Sequence, residues 1–271
     1  MSAKIVNGNA IKAEILASLK EEVEKRQIKP VLAIIFVGED EASQVYINSK
    51  KSAAEEVGAQ VQVFLFPEDV SQDVLTAKIH ELNQDEEVHG VMIQLPLPKN
   101  FNAKEVLSQI APEKDVDHIR SLPDPHTAVA DAVTEVLDRN HVLVQGKNAI
   151  ILGAGLLAGR SIELALKERG AEVVVCDENT EDLSAYTRLA DILVTAVGVP
   201  GLVTGEMVKE GVVVIDVGTA AELIDGQLKT KGDVDRTSVE PKASLFTPVP
   251  GGIGPITVAI LIRNLVASTS S

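Results

Sequence analysis

A glycine-rich turn in the middle of the sequence constrains the fold of this chain more than any other feature. The apolar segment Ala149–Leu152 runs directly into Gly153, and Gly155 and Gly159 follow with the spacing GxGxxxG. Glycine lets the backbone come close to a pyrophosphate, and a helix that starts after such a turn presents the positive end of its dipole to the phosphates. The spacing is a variant of the usual GxGxxG, so the turn alone is weak evidence of a nucleotide site.

The residues after the turn strengthen this interpretation. Residues 160–169 have helical spacing, and residues 171–176 form a second apolar segment that ends directly before Asp177. Strand, glycine turn, helix, strand and acidic residue follow one another in this order in a dinucleotide-binding βαβ unit. The alternative is a tight strand-to-helix turn without a ligand. The predicted cofactor-binding residues of this segment are Gly153, Ala154, Gly155, Gly159, Asp177 and Glu178.

Composition limits the class of protein. A length of 271 residues predicts about two domains. Hydrophobic residues make up 45% of the chain but aromatic residues only 3%, so the core is aliphatic, which suits helices packed on buried parallel strands. The net charge of -15 argues against nucleic acid and anionic membranes as partners.

Cysteine usage and the N-terminal residues indicate a cytoplasmic protein. The single cysteine, Cys176, excludes a disulfide within the chain and fits a reducing compartment. No signal-peptide pattern and no run of ~18 apolar residues is present. The five histidines are scattered without the spacing of metal ligands, so we expect no metal site.

Strand and helix patterns alternate on both sides of a proline-marked boundary at residues 122–125. Before it, strands are predicted at 30–37, 61–66 and 88–94, between helices at 9–26, 39–57, 70–84 and 101–109. After it, the βαβ unit is followed by strands near 192–196 and 212–217, a hairpin at 222–233 and a final helix at 257–267. The sequence predicts an α/β protein with two α/β domains, an N-terminal parallel-sheet domain and a C-terminal Rossmann-type domain, with a cleft between them.

Candidate catalytic residues lie in the first half. Ser43, Tyr46 and Lys50 share one face of the second helix, so Tyr46 could hold a substrate ring beside the Lys50 amine. The alternative is a half-buried tyrosine and a solvated lysine. Gln94 ends an apolar strand, and ligands of open α/β sheets bind at the carboxyl ends of strands. Gln94 could equally bond its own backbone.

Two further segments could contact a ligand. Asp115 and Asp117 flank Val116, so in an extended loop they would share a side, and one carboxylate could accept two N–H groups from a ligand. The alternative is a loop of solvated charges. The segment Pro248–Pro255 is rich in glycine and proline and would let backbone amides approach a flat ligand, or it is only the entry to the last helix.

Seven segments, in this order, resemble the bifunctional methylenetetrahydrofolate dehydrogenase/methenyltetrahydrofolate cyclohydrolase family. They are Ala42–Lys50, Val91–Pro98, Pro112–Asp117, Ala190–Pro200, Val214–Gly218, Gly232–Val234 and Pro248–Thr257. The resemblance covers nearly the whole chain. It implies oxidation of 5,10-methylenetetrahydrofolate with NAD(P)+ and hydrolysis of the product to 10-formyltetrahydrofolate, in one-carbon metabolism and purine biosynthesis, by a homodimer joined through its cofactor domain.

The resemblance also implies residue roles. Tyr46 would stack on the folate ring, Asp117 would hold the pterin edge, and Lys50, tuned by Gln94, would be the acid/base of hydrolysis. Ser43, Pro250, Gly251 and Gly252 would line the folate site. Gly198, Gly218 and Thr257 would border the cofactor. The implied domains are 1–124 plus 256–271 for folate and catalysis, and 125–255 for NAD(P).

The chain departs from the family pattern in three places. His118 follows Asp117 where the family usually has glycine, and the loop from there to Thr127 is shorter. Gly153-Ala154-Gly155 replaces Gly-Arg-Ser, and Asp177-Glu178 replaces His-Ser. An acid at 177 or 178 repels the 2′-phosphate of NADP and accepts a hydrogen bond from the 2′-hydroxyl of NAD. These residues therefore favour NAD, whereas the usual family pattern favours NADP.

Other functions remain open from the sequence. They are a monofunctional cyclohydrolase with a decayed cofactor site, another two-domain NAD(P)-dependent dehydrogenase, and a non-catalytic scaffold. Because Tyr46, Lys50, Gln94 and Asp117 occur together, the last two are disfavoured. The altered turn at Ala154 and Gly155 keeps the monofunctional cyclohydrolase open.

Overall fold

The computed structural model describes residues 3–224 and 227–269, which form two compact α/β units. The six-strand unit contains the N-terminal stretch through Ile11 and residues 123–257. The three-strand unit contains residues 12–122 and the chain from Val258 onward. The six-stranded and the three-stranded sheet are parallel, which confirms the predicted α/β class. Among the described residues, no helix has both the length and the apolar character that crossing a bilayer requires.

The elements are numbered in chain order. The strands are β1 (Lys4–Ile5), β2 (Val31–Val37), β3 (Gln60–Phe66), β4 (Gly90–Ile93), β5 (Asn148–Leu152), β6 (Glu172–Cys176), β7 (Ile192–Thr195), β8 (Val213–Asp216), β9 (Ala220–Ile224), β10 (Gln227–Lys231) and β11 (Leu245–Phe246). The α-helices are α1 (Gly8–Arg26), α2 (Glu41–Glu56), α3 (Gln72–Gln84), α4 (Ala103–Ser108), α5 (Ala128–Arg139), α6 (Gly159–Glu168), α7 (Leu183–Thr187), α8 (Arg236–Val239) and α9 (Ile253–Ser268). Short 3-10 helices span Pro112–Lys114 and Gly205–Met207.

The sheet of the six-strand unit has the order β1-β11-β8-β7-β5-β6. The predicted βαβ unit is present as β5, α6 and β6, with β5 and β6 as parallel neighbours. The central strands β5, β7 and β8 are aliphatic and almost entirely buried, as the scarcity of aromatic residues predicts, whereas the edge strand β6 is partly exposed. β9 and β10 pair as an antiparallel hairpin at the predicted place, and its predicted turn, Asp225-Gly226, lies outside the described residues.

The sheet of the three-strand unit has the order β3-β2-β4. Every residue of β2 is buried, because this central strand is covered on both faces. β4 begins at Gly90, where a Cβ atom would lie 2.7 Å from Val116 and 2.8 Å from Leu265. This strand therefore packs closely against the segment that precedes Asp117.

Two predicted boundaries differ from the structure. The residues before Ile11 were predicted to belong to the first domain, but they join the six-strand unit because β1 extends its sheet, with the N–H of Val6 donating to the carbonyl of Phe246. The last helix begins at Ile253 and not at 257, because a proline in the first helical turn has no N–H to satisfy, and Pro255 fits there. The structure places Ile253–Thr257 with the six-strand unit and the rest of α9 with the three-strand unit.

Candidate functional site

A pocket of about 590 Å³ opens at the carboxyl ends of β5, β6 and β7 in the six-strand unit. Its size is typical of a site for a small organic ligand. Five predicted cofactor residues line it: Gly153, Ala154, Gly155, Asp177 and Glu178. Seven further lining residues are not predicted from the sequence: Leu152, Cys176, Leu183, Ala196, Val197, Val199 and Leu202. Cys176 and Ala196 end the predicted strands 171–176 and 192–196, and this position is the signal that could have found them, since ligands of open α/β sheets bind at the carboxyl ends of strands.

The three glycines of the turn have different roles. Gly153 has φ of +105°, and a Cβ there would lie 2.4 Å from the carbonyl oxygen of Ala196. A Cβ on Gly159 would lie 1.9 Å from the carbonyl oxygen of Gly153, so this glycine is needed for close packing of α6 on the turn. A Cβ on Gly155 would meet nothing within 4 Å. Gly155 therefore borders open space in the pocket.

The N-terminus of α6 faces the same turn. The N–H of Arg160 donates to the carbonyl of Gly155, and among the described residues no side chain caps the helix. Uncapped N–H groups and the positive end of the helix dipole bind anions such as a pyrophosphate. Turn, helix and pocket together have the shape and chemistry of a dinucleotide site.

The acidic pair Asp177 and Glu178 also lines this pocket, directly after β6. Asp177 Oδ1 accepts hydrogen bonds from the Asn179 N–H at 2.9 Å and from Thr180 Oγ1 at 3.4 Å. These bonds hold the turn that follows the strand. Both acids are exposed, so their carboxylates raise the negative potential of the pocket.

Four other predicted cofactor residues are not among the residues that line the pocket in the described part of the chain. Gly159 supports the turn from behind. Gly198 has φ of +79° and lies between the lining residues Val197 and Val199. At Gly218, a Cβ would lie 2.1 Å from the Asp233 carboxylate. The Thr257 hydroxyl donates to the carbonyl of Ile253 within α9.

A buried lysine–glutamine pair lies in the three-strand unit. Lys50 Nζ donates to Gln94 Oε1 at 2.9 Å, and the two residues are only 9% and 8% exposed. Lys50 is therefore not the solvated lysine of the alternative interpretation. Burial lowers the pKa of Lys50 below its ordinary value, and the negative charge of Asp117 opposes this effect. An amine with a lowered pKa gives up its proton more readily than an ordinary lysine, so Lys50 is suited to exchange protons with a ligand.

Backbone contacts fix the position of Gln94. Its N–H donates to the carbonyl of Ile35 at 2.8 Å and so continues the pairing of β4 with β2. Its Nε2 donates to the carbonyl of Leu95, whose peptide bond to Pro96 is cis. The side-chain oxygen is therefore directed to Lys50 as an acceptor.

The predicted face of α2 is present in the structure. Ser43 and Lys50 are buried, whereas Tyr46 between them is 39% exposed. The helix is fixed at its start by Asp40, whose carboxylate accepts the N–H of Ser43 at 2.7 Å. An exposed aromatic ring one turn from a buried amine is available to a planar ligand.

The two aspartates around Val116 differ in their surroundings. Asp115 is buried, and its carboxylate accepts the N–H groups of Ile119 at 3.1 Å and Arg120 at 2.8 Å. Burial raises the pKa of Asp115 above its usual range. Asp115 thus has a structural role, whereas Asp117 is half-buried and acts electrostatically on Lys50.

His118 adopts a left-handed backbone with φ of +54°. Glycine adopts this conformation without steric cost, which gives a physical reason for the glycine usual at this place in the family. The segment around it is anchored because Asn264 Nδ2 donates to the carbonyl of Val116 at 2.9 Å. This bond fixes the backbone directly before Asp117, whose charge acts on Lys50.

The predicted folate residues Pro250, Gly251 and Gly252 belong to the six-strand unit. The carbonyl of Gly251 accepts the N–H of Gly8 at 2.8 Å, and Gly251 has φ of +98°. A Cβ on Gly252 would lie 2.5 Å from the carbonyl oxygen of Pro248. Local backbone conformation and packing therefore account for both glycines.

In the part of the chain that the structure describes, no group of three or more His, Cys, Asp or Glu side chains could hold a metal ion.

The six-strand unit thus defines the class of protein: an α/β protein with a Rossmann-type NAD(P)-binding unit. Two family profiles match the sequence. That described as tetrahydrofolate dehydrogenase/cyclohydrolase, catalytic domain, matches residues 6–117, and that described as the NAD(P)-binding domain of the same family matches residues 127–271. The chain belongs to the tetrahydrofolate dehydrogenase/cyclohydrolase family, which confirms the predicted resemblance.

Individual relatives are similar to this chain over nearly their full length. A bifunctional protein FolD from Moorella thermoacetica is 41% identical, and the match covers 98% of each chain. The crystal structure of a FolD dehydrogenase/cyclohydrolase from Campylobacter jejuni has 37% identity, a TM-score of 0.90 and 99% coverage of each chain. That of the Trypanosoma brucei enzyme, complexed with NADP and an inhibitor, has 34% identity, a TM-score of 0.94 and coverage of 100% and 98%. The chain is thus an oxidoreductase and hydrolase of tetrahydrofolate one-carbon metabolism.

Proposed function

We propose that the two activities are divided between the two units. The three-strand unit binds the folate and hydrolyses 5,10-methenyltetrahydrofolate at Lys50. The six-strand unit binds the dinucleotide that oxidises 5,10-methylenetetrahydrofolate. The observation that carries this proposal is the hydrogen bond of 2.9 Å between the buried Lys50 amine and Gln94, since a buried amine beside an exposed ring at Tyr46 is suited to proton transfer on a planar substrate.

Hydrolysis then follows from the protonation of Lys50. A neutral amine accepts a proton from the water that attacks the methenyl carbon, which leaves a hydroxyl group on that carbon. The resulting ammonium returns the proton to N5 as the bond between carbon and N5 breaks, and the hydroxyl releases its own proton to solvent as it becomes the formyl carbonyl. The product is 10-formyltetrahydrofolate. Burial lowers the pKa of Lys50 and so raises the fraction of neutral amine at neutral pH. Tyr46 stacks on the folate ring, and Asp117 accepts N–H groups of the pterin edge, with Ser43 beside them.

The residues around the glycine turn fit a dinucleotide, because Gly155 leaves open space beside an uncapped helix N-terminus. When bound, NAD(P)+ accepts a hydride from the methylene carbon of the folate. Gly153, Ala154 and Gly155 hold the pyrophosphate. Gly198, Gly218 and Thr257 border the cofactor. The intact packing of Gly159 on Gly153 favours this function over a cyclohydrolase with a decayed cofactor site.

We further propose that the preferred cofactor is NAD. Asp177 and Glu178 line the pocket, and two carboxylates there repel the 2′-phosphate of NADP while accepting a ribose hydroxyl. The Trypanosoma brucei relative was crystallised with NADP, and the departure of this chain at 177–178 is the reason to expect a difference.

The proposal also includes a homodimer through the six-strand unit, supported by the exposed Val174 on the edge strand β6.

One experiment tests both activities. The protein is mixed with methylenetetrahydrofolate and either NAD or NADP, and the absorbance of the methenyl product is followed. We expect the methenyl signal to rise and then decay, faster with NAD. No signal with either cofactor, together with hydrolysis of added methenyltetrahydrofolate, would favour the monofunctional cyclohydrolase. Absence of both reactions would overturn the proposed division.

A further inference from the structure

We propose that Asp233 is a positioning residue for the dinucleotide, because its buried carboxylate holds the loop that forms one wall of the pocket. The proposal rests on the proposed function, namely that this pocket binds NAD(P). Asp233 does not line the pocket in the described residues, and it acts through the backbone of Val197–Val199.

The contact between Asp233 and this loop is direct. Asp233 is 1% exposed, and its Oδ2 accepts the Val197 N–H at 2.7 Å while its Oδ1 accepts the Val199 N–H at 2.8 Å. Gly198 between them has φ of +79°. Backbone N–H groups that converge in such a turn form a concave anion-binding site. The anion bound here is the side chain of Asp233, and hydrogen bonds to a charged acceptor are short and strong.

The loop turns its apolar side chains toward the pocket. Val197 and Val199 both line it and are 43% and 46% exposed. The buried Asp233 carboxylate accepts the N–H groups of both valines. A rotation of the loop that moved the valine side chains out of the pocket would therefore break a charge-assisted hydrogen bond. The result is a preformed apolar wall against which a planar ring of the dinucleotide can pack.

A second buried carboxylate holds Asp233 itself. Asp216 Oδ1 accepts the Asp233 N–H at 3.2 Å, and Asp216 Oδ2 accepts the Val234 N–H at 3.1 Å. A Cβ on Gly218 would lie 2.1 Å from the Asp233 carboxylate, and a Cβ on Gly232 would lie 2.1 Å from Asp216 Oδ2. Both glycines are therefore needed for this pair of carboxylates. This gives Gly218 a physical role behind the cofactor loop.

The test compares Asp233→Asn with a matched variant. Asparagine offers one acceptor oxygen and turns an NH2 group toward the second N–H, so it can hold only one of the two valines. We expect KM for the dinucleotide and its Kd by calorimetry to rise about tenfold, a loss that corresponds to one charge-assisted bond. Hydrolysis of added methenyltetrahydrofolate should be unchanged. The control is Asp191→Asn, which removes a carboxylate that accepts the Asn148 N–H at 3.0 Å at the start of β5, and it should leave both constants unchanged.

A second variant covers the case in which Asp233→Asn does not fold. Gly198→Ala disfavours the loop conformation, while its Cβ would approach no atom closer than Thr219 O at 3.7 Å. It should weaken dinucleotide binding and spare hydrolysis in the same way. If Kd for the dinucleotide in either folded variant stayed within twofold of the wild-type value, the positioning role of Asp233 would be overturned, while the proposed cofactor site would stand. Failure of the wild-type protein to bind NAD or NADP would overturn the proposed cofactor site, and this inference with it.

Discussion

Lys50 on α2 and Gln94 at the end of β4 are joined by a hydrogen bond of 2.9 Å between two buried side chains. Forty-four positions separate them in the sequence. The bond requires the helix face and the strand end to meet, and burial there lowers the pKa of the lysine while Asp117 limits the shift. In the proposed hydrolysis, Lys50 transfers the proton and Gln94 holds the lysine amine in place.

Lys50→Met should abolish hydrolysis of methenyltetrahydrofolate. Methionine fills a similar volume without an exchangeable proton, so we expect kcat to fall by about 100-fold or more, the usual contribution of a general acid/base. Because the change removes a buried amine, the melting temperature should be maintained or raised. Lys51→Met is the control, since Lys51 is an exposed neighbour paired with Glu55. Full hydrolysis by Lys50→Met would refute the role of Lys50.

Asp117→Asn should shift the pH profile of hydrolysis. The carboxylate of Asp117 raises the pKa of Lys50, so its removal lowers that pKa further. Because the neutral amine is the base, the rise of kcat with pH should move to lower pH, while KM for the folate increases. Glu113→Gln removes an exposed charge of the same segment and should leave the profile in place. An unshifted profile in Asp117→Asn would argue against this electrostatic link.

The sequence predicts those parts of the fold that depend on local periodicity. The βαβ unit and the Ser43–Lys50 face were predicted because strands and helices of this length have a clear pattern. β1 and β11 were not, because each has two residues and exists only through pairing with the sheet. The inward turn of Asp115 was also missed, since it depends on the N–H groups of Ile119 and Arg120. The hydrogen bond from the Val197 N–H to the Asp233 carboxylate joins residues 36 positions apart, and sequence periodicity does not predict such a contact.

Asp177→Ser combined with Glu178→Ser should improve the use of NADP. Removing two negative charges from the pocket rim reduces repulsion of the 2′-phosphate, and we expect kcat/KM for NADP to rise about tenfold. The value for NAD should fall, because an acceptor for the ribose hydroxyl is lost. Glu181→Ser, an exposed acid of the same segment, is the control. An unchanged ratio of NAD to NADP would show that these acids do not face the ribose.

Asp216 should make the six-strand unit less stable as pH rises. Burial raises its pKa from 3.8 to about 6 in the folded protein, so between these values the folded state binds more protons than the unfolded state. The contribution of Asp216 is therefore fully present below pH 3.8 and is lost by pH 6. The loss amounts to about 3 kcal/mol at 1.36 kcal/mol per pH unit.

Urea unfolding of wild type and Asp216→Asn between pH 4.5 and pH 7.5 measures this loss. The stability of wild type relative to the variant should increase as pH falls. Asp191→Asn is the control: a hydrogen bond from Lys209 lowers the pKa of Asp191, so its stabilisation is lost only below pH 3.8 and the difference from wild type should be constant between pH 4.5 and pH 7.5. A difference between wild type and Asp216→Asn that is independent of pH would contradict the raised pKa.

Gly155→Ala and Gly159→Ala should separate cofactor binding from stability within one turn. A Cβ on Gly155 meets no atom within 4 Å, so the alanine variant should keep its free energy of unfolding within about 0.5 kcal/mol. The new methyl group occupies space at the pocket, so KM for the dinucleotide should rise. A Cβ on Gly159 lies 1.9 Å from the carbonyl oxygen of Gly153, and this variant should lose about 3 kcal/mol as α6 is displaced. Denaturant unfolding and dinucleotide titration of both variants check the pair. If Gly155→Ala bound the dinucleotide like wild type, the open space beside it would not be the pyrophosphate site.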